Sequence, residues 1–187
     1  IMPPASKPYP AQYEETMMLA DGTTLLVRPI RPDDEPRMKD MFYSFSEQTV
    51  YLRYHGVLKS MPHNKLQVFC NVDYDTEMAL VAVVGEPGQE QIVGVGRYMT
   101  DASKSSAELA FAVQDAWQRK GIGTYLFKRL ISIAQANGIR RVHADVLVEN
   151  SGMLKIFHRS GLNIQTTTEA GVVRVRMTIP DSRPTSA

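Results

Sequence analysis

The chain has 187 residues, enough for one domain with a core of its own. Its 21 basic and 20 acidic residues leave a formal net charge of +1, a balance that demands neither nucleic acid nor an anionic membrane surface. A single cysteine, Cys70, excludes an internal disulfide framework, cannot build a zinc site alone, and suits a reducing, cytoplasmic setting.

The opening IMPPASKPYP carries four prolines in ten residues, favours extended chain, and lacks the basic and apolar blocks of a signal peptide. Residues 1–20 read as a linker or N-terminal extension, 21–180 as one folded domain, and 181–187, within PDSRPTSA, as a C-terminal tail. No apolar run approaches the length needed to span a bilayer. Asp21-Gly22 marks a turn that feeds a strand from Thr23 to Arg28. RPDDEPRMKDMFYSF opens a helix with prolines and acids, and Met38, Met41, Phe42 and Phe45 recur at helical spacing to form its buried face. SEQTVYLRY reads as a second helix with Ser46 as its N-cap, and MPHNKLQVFCNV as a third with Leu66, Phe69 and Cys70 inward. EMALVAVVG and QIVGVGRYM, parted by EPGQE, form a hairpin pattern, and SAELAFAV follows as a third strand.

IGTYLFKRLISIAQANG then shows one apolar stripe through Ile122, Tyr125, Leu126, Leu130, Ile133 and Ala134, with Asn137-Gly138 as its stop. RRVHADVLV is a further strand. NSGMLKIFHRSG is a short helix between Asn150 and Gly161, and two strands around Glu169-Ala170-Gly171 close the chain. The order gives an α/β fold with helices on both faces of a central sheet.

Between the third strand of that set and the long helix lies QRKGIG, Gln118 to Gly123. A helix N-terminus presents free N–H groups and the positive end of its dipole, and glycines let an anion approach closely. Arg119 and Lys120 add charge. The stretch is neither a Walker loop nor a dinucleotide fingerprint. From these residues alone, an ordinary strand-to-helix turn stands beside a phosphate site.

AELAFAVQDAWQRKGIGTYL and ENSGMLKIFHRSGL resemble the strand, loop and helix blocks of the GNAT N-acetyltransferases, where Gln-x-x-Gly-x-Gly holds the pyrophosphate of coenzyme A. VRPIRPDDEP, YLRY and DYDTEMALVAVV resemble, more narrowly, the acetyltransferase domains of bacterial protein lysine acetyltransferases of the Pat type. Those domains are often fused to acyl-CoA synthetase-like modules. The resemblance implies the GNAT fold, with a mixed, mostly antiparallel central sheet. It also implies acetyl-CoA as cosubstrate, no metal, a protein with a target lysine as acceptor, and no nucleic-acid or membrane partner. It gives the pantetheine arm Phe111, Ala112 and Val113. The pyrophosphate falls to Gln118, Arg119, Lys120, Gly121, Ile122, Gly123 and Thr124, and the next helix contributes Asn150, Met153 and Phe157. Asn150 is also, on its own terms, a helix N-cap.

Acetyl transfer to a lysine needs a base, because a free lysine has a pKa of about 10.4. Alternation in SAELAFAV puts Glu108, Ala110 and Ala112 on one face, and the two alanines leave room for a ligand. A carboxylate buried in a covered sheet would have its pKa raised, the direction a general base requires. The residues alone favour a glutamate on a solvated sheet edge, paired with a Lys or Arg. The resemblance assigns Glu108 the role of base and the Val113 N–H that of oxyanion donor. Many members of the family carry a proton-donating tyrosine where this chain has Phe157, so the leaving thiolate takes its proton elsewhere. Tyr74 and Asp75 are read as lining the acceptor channel. Cys70 reads as a buried structural thiol, and His55, His63, His143 and His158 show no metal-ligand spacing. A small-amine acetyltransferase and a non-catalytic acyl-CoA sensor remain as alternatives.

Overall fold

The computed structural model describes residues 7–56 and 58–181. Residues 1–6 of the expected linker and 182–187 of the expected tail lie outside that range.

Strands β1 (Glu15–Met18) and β2 (Thr24–Pro29) lead into helices α1 (Glu35–Ser44), α2 (Glu47–Tyr54) and α3 (His63–Cys70). Strands β3 (Glu77–Val84), β4 (Gln91–Thr100) and β5 (Ser106–Val113) follow, then helix α4 (Ile122–Ala136). Strand β6 (Arg141–Leu147), helix α5 (Ser151–His158) and strands β7 (Asn163–Glu169) and β8 (Val172–Thr178) complete the chain. They form one eight-stranded sheet in the order β1-β2-β3-β4-β5-β6-β8-β7. Every neighbouring pair is antiparallel except β5 and β6, which the α4 crossover joins in parallel.

The sheet separates two cores. Along β3, Met78, Leu80 and Ala82 join the core under α4 and α5, whereas Ala79, Val81 and Val83 join the core under α1, α2 and α3. This period-two division is what a strand covered on both faces requires. α4 buries Ile122, Leu126, Leu130, Ile133 and Ala134, the expected stripe, while Tyr125 is only partly buried. Phe127 widens the stripe. Its ring packs edge-on against Phe157 of α5 at 5.4 Å and Phe111 of β5 at 6.0 Å, because α4 is flanked by α5 as well as by the sheet.

The caps follow the sequence. Ser46 Oγ accepts from the Thr49 N–H at 3.1 Å, and Asn150 Oδ1 accepts from the Met153 N–H at 3.2 Å. A buried ion pair locks β2 to the turn before α1. Arg28 donates twice to Asp34, at 2.8 and 2.7 Å, and the Arg31 N–H adds a third bond at 2.8 Å. Burial alone would raise the Asp34 carboxyl. The Arg28 and Arg31 bonds, with the charge of Arg28, outweigh it and hold the group below the usual carboxylate range.

The N-terminal extension differs from expectation. Glu15–Met18, inside the stretch read as linker, pairs antiparallel with β2 from Glu15↔Val27 to Met18↔Thr24. The strand is largely exposed and is held by backbone bonds at the sheet edge. It therefore leaves no apolar periodicity in the sequence.

Candidate functional site

β5 and β6 lie side by side only from Ser106↔Arg141 to Glu108↔His143. Beyond that register they part, while β5 stays paired with β4 as far as Gly94↔Val113. The Gln114 N–H bonds to the Val93 carbonyl and the Asp101 N–H to the Ser106 carbonyl. This phase commits the even-numbered residues of β5 to β4, leaves the Leu109 N–H to the last β5–β6 bridge at Glu108↔His143, and turns the N–H groups of Phe111 and Val113 toward the gap. A cleft of about 310 Å³ fills that gap. Its walls are Arg53 to His55 at the end of α2, Glu108 to Phe111 of β5, and Ala144 to Val146 of β6. Asn150, Met153 and Phe157 of α5 complete it.

Glu108 stands on the cleft wall and is exposed. The expected burial is absent for a structural reason. Helices α1, α2 and α3 cover their face of the sheet across β2 to β5, and the β6–β8–β7 half of that face stays polar, with Arg174, Arg176, Gln165 and Thr167 exposed on it. Glu108 sits at the boundary. No ion pair or side-chain hydrogen bond engages it among the described residues. Across the cleft, Arg174 grips Asp145 with bonds of 2.8 and 2.9 Å and holds its carboxyl below the ordinary range.

The loop Gln118 to Thr124 lies outside the cleft walls and is joined to them by packing. Arg119 has a φ of 62° and Gly121 a φ of 90°, so the chain turns sharply into α4. The first helical bond is Tyr125 N–H to Gly121 O at 3.0 Å, which leaves the N–H groups of Ile122, Gly123 and Thr124 without helical partners. The Ile122 side chain points into the core. A Cβ on Gly123 would stand 3.2 Å from Ile156 Cδ1 and 4.0 Å from Val113 Cγ2. The start of α4, the end of β5 and α5 therefore converge at one point. Lys120 is drawn toward Asp21 at 3.9 Å.

Gln118 is tied inward. Its Nε2 donates to Thr49 Oγ1 at 3.1 Å and to the Val113 carbonyl at 3.0 Å. Thr49 in turn donates to Asp115 at 3.0 Å, and Asp115 also takes the Ser46 N–H and hydroxyl at 3.0 and 2.6 Å. Partial burial would raise the Asp115 carboxyl, but the bonds from Ser46 and Thr49 hold it low. This network fastens the start of α2 to the loop. Its partners lie far apart in sequence, and no local pattern announces it.

Asn150 is the N-cap of α5 and faces the cleft. Phe157 is fully buried under the cleft, with its ring 6.3 Å from Phe111. Tyr74 and Asp75 do not reach the cleft. The Tyr74 hydroxyl donates to the Ile30 carbonyl at 2.6 Å, and Asp75 pairs with Lys7 and Lys104. Cys70 is buried in the core under α1, where desolvation pushes its thiol up to about 12, so it is inert. Among the described residues no group of three or more His, Cys, Asp or Glu could hold a metal ion. No helix there is long and apolar enough to cross a membrane. Sequence reasoning missed Arg53, Tyr54, His55 and Asp145. Alternation in RRVHADVLV carries a trace of Asp145, since it shares a face with His143.

Residues 38–162 match the Acetyltransferase (GNAT) family. The chain is 31% identical over 135 residues to Acetyltransferase PA5475 of Pseudomonas aeruginosa, covering 72% of this chain and 73% of that one. It is also 31% identical over 160 residues to Acetyltransferase Pat of Mycolicibacterium smegmatis, covering 85% of this chain but only 47% of that relative's length. Among solved structures, the GNAT domain of S. lividans PAT superposes with a TM-score of 0.83 at 31% identity, over 91% of this chain and 99% of that one.

Proposed function

This chain belongs to the GNAT acetyltransferase family and is an acyltransferase, and from that premise we propose that it transfers the acetyl group of acetyl-CoA to a lysine side chain of a protein. The observation that carries the reading is the cleft where β5 and β6 part, with an exposed carboxylate on its wall and unpaired strand N–H groups along one side.

In this reading the pyrophosphate sits at the free N–H groups of Ile122, Gly123 and Thr124, with Arg119 and Lys120 beside it. The pantetheine amides pair with the open edge of β5 at the Phe111 carbonyl and the Val113 N–H, against Asn150 and Met153. The acceptor amine enters from the polar side and gives a proton to Glu108. As the C–N bond forms, the Phe111 N–H, nearer Glu108, steadies the carbonyl oxygen, because Val113 lies five residues along β5 from Glu108 and beside Gly123 at the loop end. The C–S bond then breaks, and the thiolate takes a proton from solvent, since Phe157 has none to give. A thiol pKa of about 8.5 makes this leaving group tolerable without a dedicated acid.

A protein acceptor is supported by the likeness to Pat-type chains and by the exposed, polar approach to Glu108. The low cysteine content agrees with a cytoplasmic setting. The test incubates the protein with acetyl-CoA and a panel of candidate proteins, acyl-CoA synthetases among them. Free thiol release and the modified lysine are read by thiol assay and mass spectrometry. Thiol release with small amines alone would make this a small-amine enzyme. CoA binding without thiol release would make it a sensor.

A further inference from the structure

Arg28 and Arg174 each chelate an aspartate. Two other arginines, Arg53 at the end of α2 and Arg97 in β4, are partly buried and pair with no carboxylate among the described residues. Their guanidiniums lie over aromatic rings, Arg53 over Tyr54 at 4.9 Å and Arg97 over Phe69 at 4.9 Å. Arg97 spends one N–H on the Phe69 carbonyl at 3.2 Å. Burial pushes both guanidiniums down, and the charge of Arg53 adds to the effect at Arg97. Glu108 and Glu77 act on Arg53 and Arg97 only at a distance, without a salt bridge, so two cations that repel each other in a half-dry place still lack a direct anionic partner.

Their position gives that anion a meaning. Arg53 lines the cleft that holds Glu108, and it also lines, with Arg97, a cavity of about 20 Å³ directly behind it. The two spaces share Arg53, Tyr54 and Ala110, and Ala110 faces Arg97 in the β4–β5 register. The rest of the cavity wall is apolar, with Met41, Phe42 and Val95. So small a space admits only a few atoms, the end of a short chain rather than a bulky group. A guanidinium offers a planar fork that matches a carboxylate.

We propose that Arg53 and Arg97 form a carboxylate-binding subsite beside the transfer position, filled by a carboxylate carried on the acyl group or next to the acceptor amine. The inference rests on reading the cleft as the acyl-transfer site. An acyl carboxylate would arrive from the Ala110 side, and an acceptor carboxylate from the Glu108 side. In either case two forks close on one anion.

The experiment separates the two sources. Calorimetry compares CoA, butyryl-CoA and succinyl-CoA, the last two matched in chain length, on the wild type and on Arg53→Met and Arg97→Met. Acceptor KM is measured in parallel for a lysine peptide with glutamate beside the lysine and for the same peptide with glutamine. An acyl source gives wild type a preference of about 10- to 100-fold for succinyl-CoA over butyryl-CoA, the worth of hydrogen bonds to a charged group, and both variants lose it. An acceptor source leaves the thioesters alike and lowers KM by a similar factor for the glutamate peptide, again only in wild type. Unchanged affinity for CoA itself shows that the variants fold. Should either fail to bind CoA, Arg53→Lys and Arg97→Lys replace them, keeping charge while losing the fork, and they give a partial loss. A wild type without either preference, or variants that keep it, overturns the subsite while leaving the acetyltransferase reading intact. A wild type that binds CoA but turns over no acceptor overturns that reading instead, and the thioester comparison then decides the subsite alone. A wild type that binds no CoA removes both.

Discussion

Replacing Glu108 by Gln tests the proposed base with little collateral damage, and the structure says why. Glu108 is exposed and makes no ion pair or side-chain hydrogen bond among the described residues. Gln has nearly the same shape, so folding stability should move by no more than about 0.5 kcal/mol, as for other surface substitutions. The proposed CoA contacts lie on the far part of β5, on the loop and on α5, so CoA affinity should hold. The rate with a lysine acceptor should fall by about 10²–10⁴-fold, a barrier increase of about 3–5 kcal/mol. The two magnitudes differ enough for one set of measurements to separate them. The assay is a pH–rate profile of wild type and variant with a lysine peptide, with calorimetric CoA titration and thermal melting alongside. The deficit should shrink as pH approaches about 10.4, where the amine loses its proton unaided. Wild-type turnover at neutral pH would remove Glu108 from the mechanism. A variant that loses CoA affinity with its rate would assign Glu108 a structural role, and the base would have to be sought elsewhere on the cleft wall.

Further outcomes are expected elsewhere. Gly123→Val puts a Cβ 3.2 Å from Ile156 Cδ1 and branches over the free N–H groups at the start of α4, so CoA affinity should drop by about tenfold or more, and unchanged calorimetric affinity would discard the pyrophosphate assignment. Asn150→Ala removes the bond to the Met153 N–H, which should cost about 1 kcal/mol and lower Tm by about 2–4 °C. CoA affinity should fall as well, and an affinity that stays level would reduce Asn150 to a cap. Asp34→Ala strands Arg28 in the core and should destabilise by about 3–5 kcal/mol in denaturant titration. Because the folded Asp34 carboxyl is held below its unfolded value of about 3.9, its contribution is complete above that value and is lost as pH falls through the depressed one. The stability gap between wild type and Asp34→Ala should therefore narrow only below about pH 4, and a gap narrowing near neutrality would contradict the assignment.

Much of this molecule is written in short-range pattern. Alternation in SAELAFAV puts Glu108, Ala110 and Ala112 on one face because side chains of a strand alternate whatever surrounds them. The Gly121-x-Gly123 turn and the caps at Ser46 and Asn150 are equally local, since each depends on backbone geometry over a few residues. Pattern does not say what covers a face. Glu108 is exposed because the helices stop at β5 and leave the β6–β8–β7 half of that side open, which depends on the order of strands in space. β1 escaped notice because an exposed edge strand pairs through its backbone and needs no apolar period. The Thr49–Asp115–Gln118 network and the approach of Arg53 to Arg97 join residues far apart along the chain, and only closure of the sheet and packing of α2 against it bring them together. Sequence determined the local conformations and the chemistry available on each element. Tertiary structure decided where β5 and β6 part, and therefore which of those groups share a cleft.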